Sequence, residues 1–297
     1  MDEATSSALV NTATRFYDMA ARGDSAGLRQ NAIASLASDF SGIENAVKEN
    51  QANLSGIRPV PRPPFLLKAE GTAPLERAEF LCGVFGAQGQ TRDSAVFVIP
   101  HLPPGNYGIA TLDAPSPQNA YTVSFVLQQQ GHDWKLGGFY AKPAQIAGHD
   151  GTWFANRARE FKNKGQPRNA WFYLGEAREL LVPVPFMATA TTDKLYDEMQ
   201  AVKPADLPPL DLAAGGKTFK VTDLFPVPIG RDFDLVVKYQ SADVSDTGKT
   251  FQDNLAVMKS LLAKYPECRD GFAGIVVRAV EPSGKDYGSM LPMKDIK

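Results

Sequence analysis

The sequence predicts an α+β protein in which helices pack on a curved antiparallel sheet, followed by a helical hairpin and a small α/β element. Three segments of different periodicity predict it. Apolar residues recur at helical spacing up to residue 56, alternating β-rich runs occupy 65–140, and helical spacing returns after 148. We therefore expect three parts, at residues 1–145, 146–203 and 204–297.

The first segment predicts three amphipathic helices. Their apolar faces carry Val10, Ala13, Phe16, Tyr17 and Ala20, then Leu28, Ile33, Leu36 and Phe40, then Ile43, Ala46, Val47 and Leu54. The proline-rich run RPVPRPPF stops the third helix, because proline lacks the backbone donor and disfavours helix in the residue before it. Residues 58–64 are thus a predicted linker.

Six β-rich runs follow, separated by Gly, Pro, Asn and Asp. They are FLLKAEG, RAEFLCGVFG, SAVFVI, NYGIATLD, AYTVSFVLQQQ and HDWKLGGFYA. Tyr121, Val123, Phe125 and Leu127 alternate onto one face, which the helices can cover. Glycines within or at the ends of these strands suit bulges or bends: Gly83, Gly86, Gly137 and Gly138.

Helices followed by a meander that ends in an aromatic-rich strand resemble the nuclear transport factor two-like superfamily (ketosteroid-isomerase-like, cystatin-like). The resemblance rests on FYDMAARGDSAGL and HDWKLGGFY and covers about residues 5–143. It implies a cone-shaped α+β domain with a mouth between sheet and helices. It also implies a homodimer as one oligomeric state, since members of the superfamily frequently pair through the open sheet face.

Six polar or aromatic residues are predicted to line the mouth of this cone: Tyr17, Asp18, Glu79, Tyr107, Tyr121 and Tyr140. An aspartate whose pKa is raised in an apolar pocket could abstract a proton, with a tyrosine stabilising the enolate. None of the six matches a catalytic motif of the family, so we assign no catalytic residue. The alternative for the aromatic members is ordinary core packing.

Residues 148–183 resemble a single tetratricopeptide-like helical hairpin. The small and apolar positions that carry the resemblance are Ala158, Phe161, Gly165, Ala170, Leu174, Ala177 and Pro183. An unrelated amphipathic hairpin is the alternative. A helix is predicted at 191–202, and the linker KPADLPPLDL follows it.

The C-terminal part predicts a strand, strand, helix, strand order and resembles no family we can name. The strands are KTFKVTDLF, FDLVVKYQ and the apolar GFAGIVVRAV, and the helix is TFQDNLAVMKSLLAKYP.

Two short motifs suggest chemistry that their context argues against. ARGDSAGL contains Gly-x-Ser-x-Gly, but a helix precedes Ser25 where a nucleophile elbow needs a strand. We expect Gly23 to end one helix and Asp24 or Ser25 to cap the next. DVSDTGKTF lacks the first glycine of a phosphate-binding loop, so Thr247 or Thr250 is expected to cap a helix there.

Composition excludes several classes of function. The 31 basic and 33 acidic residues give a net charge of -2, so nucleic acid is not an expected partner. No apolar run reaches the roughly 18 residues of a transmembrane helix. Cys82 and Cys268 stand without the spacing of a zinc site, and no metal or cofactor is predicted. His101, His132 and His149 lie in separate predicted loops; we expect Asp150 or Thr152 to cap the helix after His149.

The sequence therefore favours a non-catalytic binding protein, with a small apolar ligand in the cone pocket or a protein partner on the helical hairpin. The alternative is an isomerase, cyclase or dehydratase acting through a polar group in that pocket. The polar start DEATSS after Met1 favours a bacterial exported chain, periplasmic or at the cell surface, whose leader is absent; a cytoplasmic protein is the alternative.

Overall fold

The computed structural model describes residues 1–85, 91–117 and 119–297, without the side chains of Phe85 and Thr91. It confirms the α+β class. Contacts group the chain into two compact units, one of Met1–Gly148 with Arg178–Lys194 and one of His149–Ala177 with Leu195–Lys297. The predicted boundaries at 145 and 203 stay a prediction, and the predicted bend at Gly86 lies outside the described residues.

The helices have the following bounds: α1 Glu3–Ala21, α2 Ser25–Gln30, α3 Ala34–Ser38, α4 Ser41–Leu54, α5 Gly151–Asn163, α6 Pro167–Leu181, α7 Ala190–Ala201, α8 Thr247–Lys264 and α9 Cys268–Gly271, with a 3-10 turn at Met293–Asp295.

The strands are β1 Val60–Pro61, β2 Phe65–Ala69, β3 Leu75–Phe85, β4 Thr91–Leu102, β5 Gly105–Ala114, β6 Tyr121–Gln130, β7 Asp133–Pro143, β8 Gln145–Ile146, β9 His149–Asp150, β10 Met187–Thr189, β11 Leu210–Ala214, β12 Lys217–Ile229, β13 Asp232–Gln240, β14 Gly274–Val280 and β15 Asp286–Pro292.

The first two helices meet at the turn predicted in ARGDSAGL. Gly23 has a φ of 72°, which a residue with a side chain adopts at a cost, and it follows the end of α1. Asp24 then caps α2 by accepting a hydrogen bond from the Gly27 N–H. Ser25 is the first residue of α2. The segment ARGDSAGL therefore forms a helix-capping turn, as predicted.

The second predicted helix is wrong in its extent, because it forms as two short helices, α2 and α3. Between them Ala32 makes an isolated bridge to Leu136 on β7. The Ile33 N–H donates to the Leu136 carbonyl at 2.9 Å, and the Leu136 N–H donates to the Asn31 carbonyl at 2.8 Å. Pairing with the sheet thus replaces the helical hydrogen bonds.

The six predicted strands all form, but in two sheets rather than one. One sheet has the order β1-β5-β6-β7, with β2 also paired to β5, and the other has the order β10-β4-β3. The sequence missed β10, which pairs antiparallel with β4 through Met187 and Phe97. The cone-like mouth remains a prediction about shape.

A bulge in β7 confirms the role predicted for Gly137. Val126 is paired with Gly138 and Leu127 with Leu136, so Gly137 has no partner in β6. An extra residue of this kind bends a strand and increases its twist.

Two apolar clusters form the core of this first unit. The first joins α1, α2 and α4 to β5, β6 and β7 and includes Phe16, Tyr17, Phe125 and Phe139. The second joins β2, β3, β4 and β5 to the segment before β10 and includes Leu67, Phe97 and Ile109. Strands β5 and β6 therefore contribute to apolar packing on both faces, as a central layer does.

The second unit contains a sheet with the order β11-β12-β13-β14-β15. Strands β13 and β14 run parallel, and α8 is the crossover between them, while the other neighbours are antiparallel. The three predicted strands, now β12, β13 and β14, and the predicted helix are confirmed, and β14 has a neighbouring strand on each side, as predicted for a central strand. Strands β11 and β15 were not predicted, and β11 takes up the end of the predicted linker.

Capping in the second unit comes from aspartates. Asp246 caps α8 by accepting a hydrogen bond from the Lys249 N–H, so the prediction of Thr247 or Thr250 is wrong. Asp150 caps α5 through the Trp153 N–H, as predicted. Gly165, with a φ of 72°, lies in the short turn between α5 and α6. Aromatic rings of α5 and α6 pack against Phe233 on β13. The ring centroids of Tyr173 and Phe233 are 5.3 Å apart.

Candidate ligand-binding cleft

The space between the helices and the β5–β7 strands, where the cone-like prediction places a mouth, is filled by aromatic side chains. Phe16 and Phe125 lie 6.0 Å apart between ring centroids, and Phe125 and Phe139 lie 5.5 Å apart. All three are buried. A close-packed interior of this kind leaves no room for a ligand at that place.

Tyr17 and Asp18 belong to α1 but have different surroundings. The Tyr17 side chain is fully buried, and its hydroxyl donates to the Leu54 carbonyl at 3.2 Å. Burial, followed by the nearby Asp18 charge, raises the pKa of Tyr17 to about 12. Asp18 is exposed, and both residues line a shallow pocket of about 610 Å³ with Arg22 and Arg58.

The other predicted tyrosines do not line the pocket beside Tyr17 and Asp18. Tyr107 lies in the second core cluster, donates to the Pro103 carbonyl and accepts from Gln128. Tyr121 packs on the first cluster and accepts from Asn53, while Tyr140 packs edge-on against Phe186. Burial raises the pKa of all three phenols.

The prediction that Glu79 faces inward is wrong. Its side chain is 56 % exposed and pairs with Arg77 at 2.5 Å. Ala78 and Phe80, its neighbours on β3, contribute to the second core cluster. Since successive side chains of a strand point to opposite faces, Glu79 must face outward.

A different cavity of the first unit is larger than the pocket beside Tyr17. It is a cleft of about 1090 Å³, compared with about 610 Å³ for the pocket beside Tyr17. It borders the second core cluster. Its apolar lining comes from β2, β3 and β10, through Phe65, Leu66, Phe80, Val84 and Met187.

The proline-rich segment predicted as a linker forms one wall of the cleft. Pro61, Pro63 and Pro64 line it, and Pro61 belongs to the short strand β1. The Arg62 N–H donates to the carbonyl of Thr111 at 2.9 Å, which ties the segment to β5. Prolines fix φ, so this wall has little conformational freedom to lose when a ligand binds.

Three cationic side chains lie at the cleft: Arg62, Lys68 and Arg92. Arg62 forms a two-point pair with Asp113, at 2.9 and 2.6 Å, so its charge is compensated. Lys68 and Arg92 are exposed and form no ion pair with any carboxylate among the described residues. The described lining thus combines apolar side chains with two cationic side chains that form no ion pair, and it also includes the exposed carboxylate of Asp2.

A cysteine lies in the described lining of the cleft, whereas the three histidines do not. Cys82 lines it, and burial raises the pKa of its thiol, which disfavours the nucleophilic thiolate. His101, His132 and His149 all lie outside it. His132 lines a separate pocket of about 360 Å³ with Asp133, and His149 stacks on Trp153 with a centroid distance of 3.6 Å.

Sequence reasoning could not find the cleft, because its walls come from segments far apart in the chain. Phe80 and Met187 meet through the pairing of β3 and β10 with β4. The only local signal was the cluster of prolines and basic residues in RPVPRPPF. Within the described ranges, no cluster of three or more His, Cys, Asp or Glu residues could hold a metal ion.

The fold and the cleft define an α+β protein with an amphipathic pocket in its first unit. Comparison of the chain with family models, curated proteins and solved structures gives no match. In the part of the chain that the structure describes, no helix has the length and apolar character of a membrane span.

Proposed function

We propose that the chain is a non-catalytic binding protein whose first unit holds a small ligand with an apolar body and an anionic group. The observation that carries the proposal is the cleft of about 1090 Å³, with Phe65 and Phe80 in its lining and with Lys68 and Arg92 in no ion pair among the described residues. Pockets of roughly 300–1,000 Å³ with apolar walls and a few polar groups are typical of small-molecule sites.

The apolar lining and the two cationic side chains of the cleft would contribute differently to ligand binding. Burial of an apolar ligand surface gives roughly 25 cal/mol per Å², and this sets most of the affinity. Charge-assisted hydrogen bonds from Lys68 and Arg92 would then select a carboxylate, sulfonate or phosphate over a neutral group. Both cations are exposed, so salt should weaken this selection.

An isomerase, cyclase or dehydratase is less well supported. Such an enzyme would need a buried carboxylate near a tyrosine inside an open pocket. Asp18 and Glu79 are exposed, and the interior beside Tyr17 is packed with aromatic rings. The nuclear transport factor two-like assignment stays a proposal, supported by the order of helices and strands in residues 5–143.

A fluorescence titration with anilinonaphthalene sulfonate, which is both apolar and anionic, tests the apolar part of the site. We expect saturable binding of one probe per chain and competition by a medium-chain carboxylate. Phe80→Ala should weaken binding about tenfold, because the probe loses an aromatic contact of roughly 1.5 kcal/mol.

Phe251→Ala is the matched control, since Phe251 is a partly exposed phenylalanine on α8 and does not line the cleft. It should bind the probe as the unmodified chain does. Equal weakening by both substitutions, or no saturable binding, would contradict a ligand site in this cleft.

A further inference from the structure

The outer edge of β3 is unoccupied by any described strand. In the three-stranded sheet β10-β4-β3, β3 pairs with β4 along one side from Leu75 to Phe85. Its other side carries backbone donors and acceptors that can pair with another strand. Natural proteins usually protect such an edge, because it is a template for association.

The outward face of this edge carries two exposed leucines and an opposite pair of charges. Leu75 and Leu81 are 36 % and 77 % exposed, and between them lie Arg77 and Glu79, with side chains 68 % and 56 % exposed. These four residues alternate along the strand and so share one face. Natural edges are commonly protected by charged side chains such as lysine, by proline or by bulges, whereas the exposed side chains of this face follow an apolar, basic, acidic, apolar order.

When the β3 strands of two copies pair antiparallel, one register brings opposite charges and apolar side chains of this face directly opposite each other. With a two-fold axis at Ala78, each Arg77 lies opposite Glu79 of the second copy. Each Leu75 lies opposite Leu81 of the second copy. Directly opposed side chains in antiparallel strands are close enough for ion pairs and apolar contacts.

Neighbouring registers lack this match. With the axis at Arg77, the two Arg77 side chains face each other, and with the axis at Glu79 the two carboxylates do. Like charges directly opposite are destabilising. The sequence of the edge therefore selects the axis at Ala78.

We propose that two copies of this chain associate through antiparallel pairing of β3 with β3 over Leu75–Leu81, with the two-fold axis at Ala78. The three-stranded sheets of the two copies join into one sheet, and the contact is isologous. A contact of seven residues per chain is small compared with the roughly 1,600 Å² of a standard interface. The dimer therefore dissociates on dilution.

Charge reversal tests the register directly. In sedimentation equilibrium over a concentration series up to millimolar, Arg77→Glu and Glu79→Arg should each weaken dimerisation about tenfold or more, because like charges then face each other twice. The double variant Arg77→Glu/Glu79→Arg should restore it, because every pair is again of opposite sign. Lys48→Glu, the same charge change at an exposed site on α4, should have no effect.

Disulfide formation gives a second readout, in a Cys82→Ala background. A mixture of Arg77→Cys chains and Glu79→Cys chains should cross-link, because the two cysteines are directly opposed, with Cα atoms about 4.5–5.5 Å apart. Each variant alone should cross-link far less, because its two cysteines are then diagonal neighbours at about 7–8 Å. A monomer at every concentration, or a dimer that neither charge reversal weakens, would overturn the proposal.

Discussion

Asp234→Asn should stabilise the protein at neutral and alkaline pH. Asp234 lies on β13 and is 0 % exposed, and neither carboxylate oxygen makes a hydrogen bond of standard geometry with a described residue. Burial, and then the charge of Asp232, raise the pKa of this carboxyl above its ordinary value of 3.8, while the Gly274 N–H lowers it by less. Ionisation of Asp234 therefore opposes folding.

The expected gain follows from the burial of a charge whose nearby donor, the Gly274 N–H, lies outside standard hydrogen-bond geometry. A buried polar group without a partner costs about 1–3 kcal/mol, and more when it is charged. Asparagine has the same shape but no charge, although its amide still needs hydrogen bonds. We therefore expect the free energy of unfolding to rise by about 1–2 kcal/mol at pH 8.

The gain should depend on pH in a definite direction. Because the pKa is raised in the folded state, Asp234 favours folding most when it is protonated, below its ordinary pKa. That contribution is lost as the pH rises through the raised folded value. The asparagine of the variant does not titrate, so the stability difference between Asp234→Asn and the unmodified chain should be small in acid and grow with pH.

Urea unfolding between about pH 4 and pH 8 measures this difference. Asp211→Asn, at an exposed position on β11, is the control and should change the free energy by about 0.5 kcal/mol or less. No gain at the upper pH, or an equal gain at both ends of the range, would refute the reasoning.

Three further substitutions test the packing and capping. Phe125→Ala should cost about 3–5 kcal/mol in urea unfolding, because it empties the centre of the first core cluster, and a loss below about 1 kcal/mol would contradict that packing. Gly274→Ala should cost about 1–3 kcal/mol, since its Cβ would lie 2.8 Å from Asp234 Oδ1; a neutral result would show that the strands can separate. Asp24→Ala should cost about 0.5–2 kcal/mol through loss of the α2 cap, whereas Ser25→Ala should be nearly neutral. An Asp24→Ala chain as stable as the unmodified one would argue against the cap.

Local chemistry was predictable from the sequence. Alternation along AYTVSFVLQQQ placed Tyr121, Val123 and Phe125 on the face that meets the helices. Gly23 and Asp24 were assigned to a helix end and a cap because few residues accept a positive φ and few can cap. These features depend on neighbours within four residues, which one sequence displays.

Long-range pairing was not predictable. Strand β4 pairs with Met187–Thr189, and nothing in VPFMATA signals a strand before an unseen partner is in place. The short strand β11 follows prolines, and β15 contains a glycine, so both lack the apolar run of a typical strand. The cleft depends on these pairings, and therefore only the structure could reveal it.

The central claim is that the cleft selects an apolar ligand by its negative charge. Titration calorimetry with a medium-chain carboxylate and the alcohol of the same chain length measures that selection. The account predicts tighter binding of the carboxylate by about tenfold or more, from one or two charge-assisted hydrogen bonds. Lys68→Gln/Arg92→Gln should remove this preference and leave alcohol binding unchanged, while Lys48→Gln keeps it. Equal affinity for carboxylate and alcohol in the unmodified chain would contradict the claim.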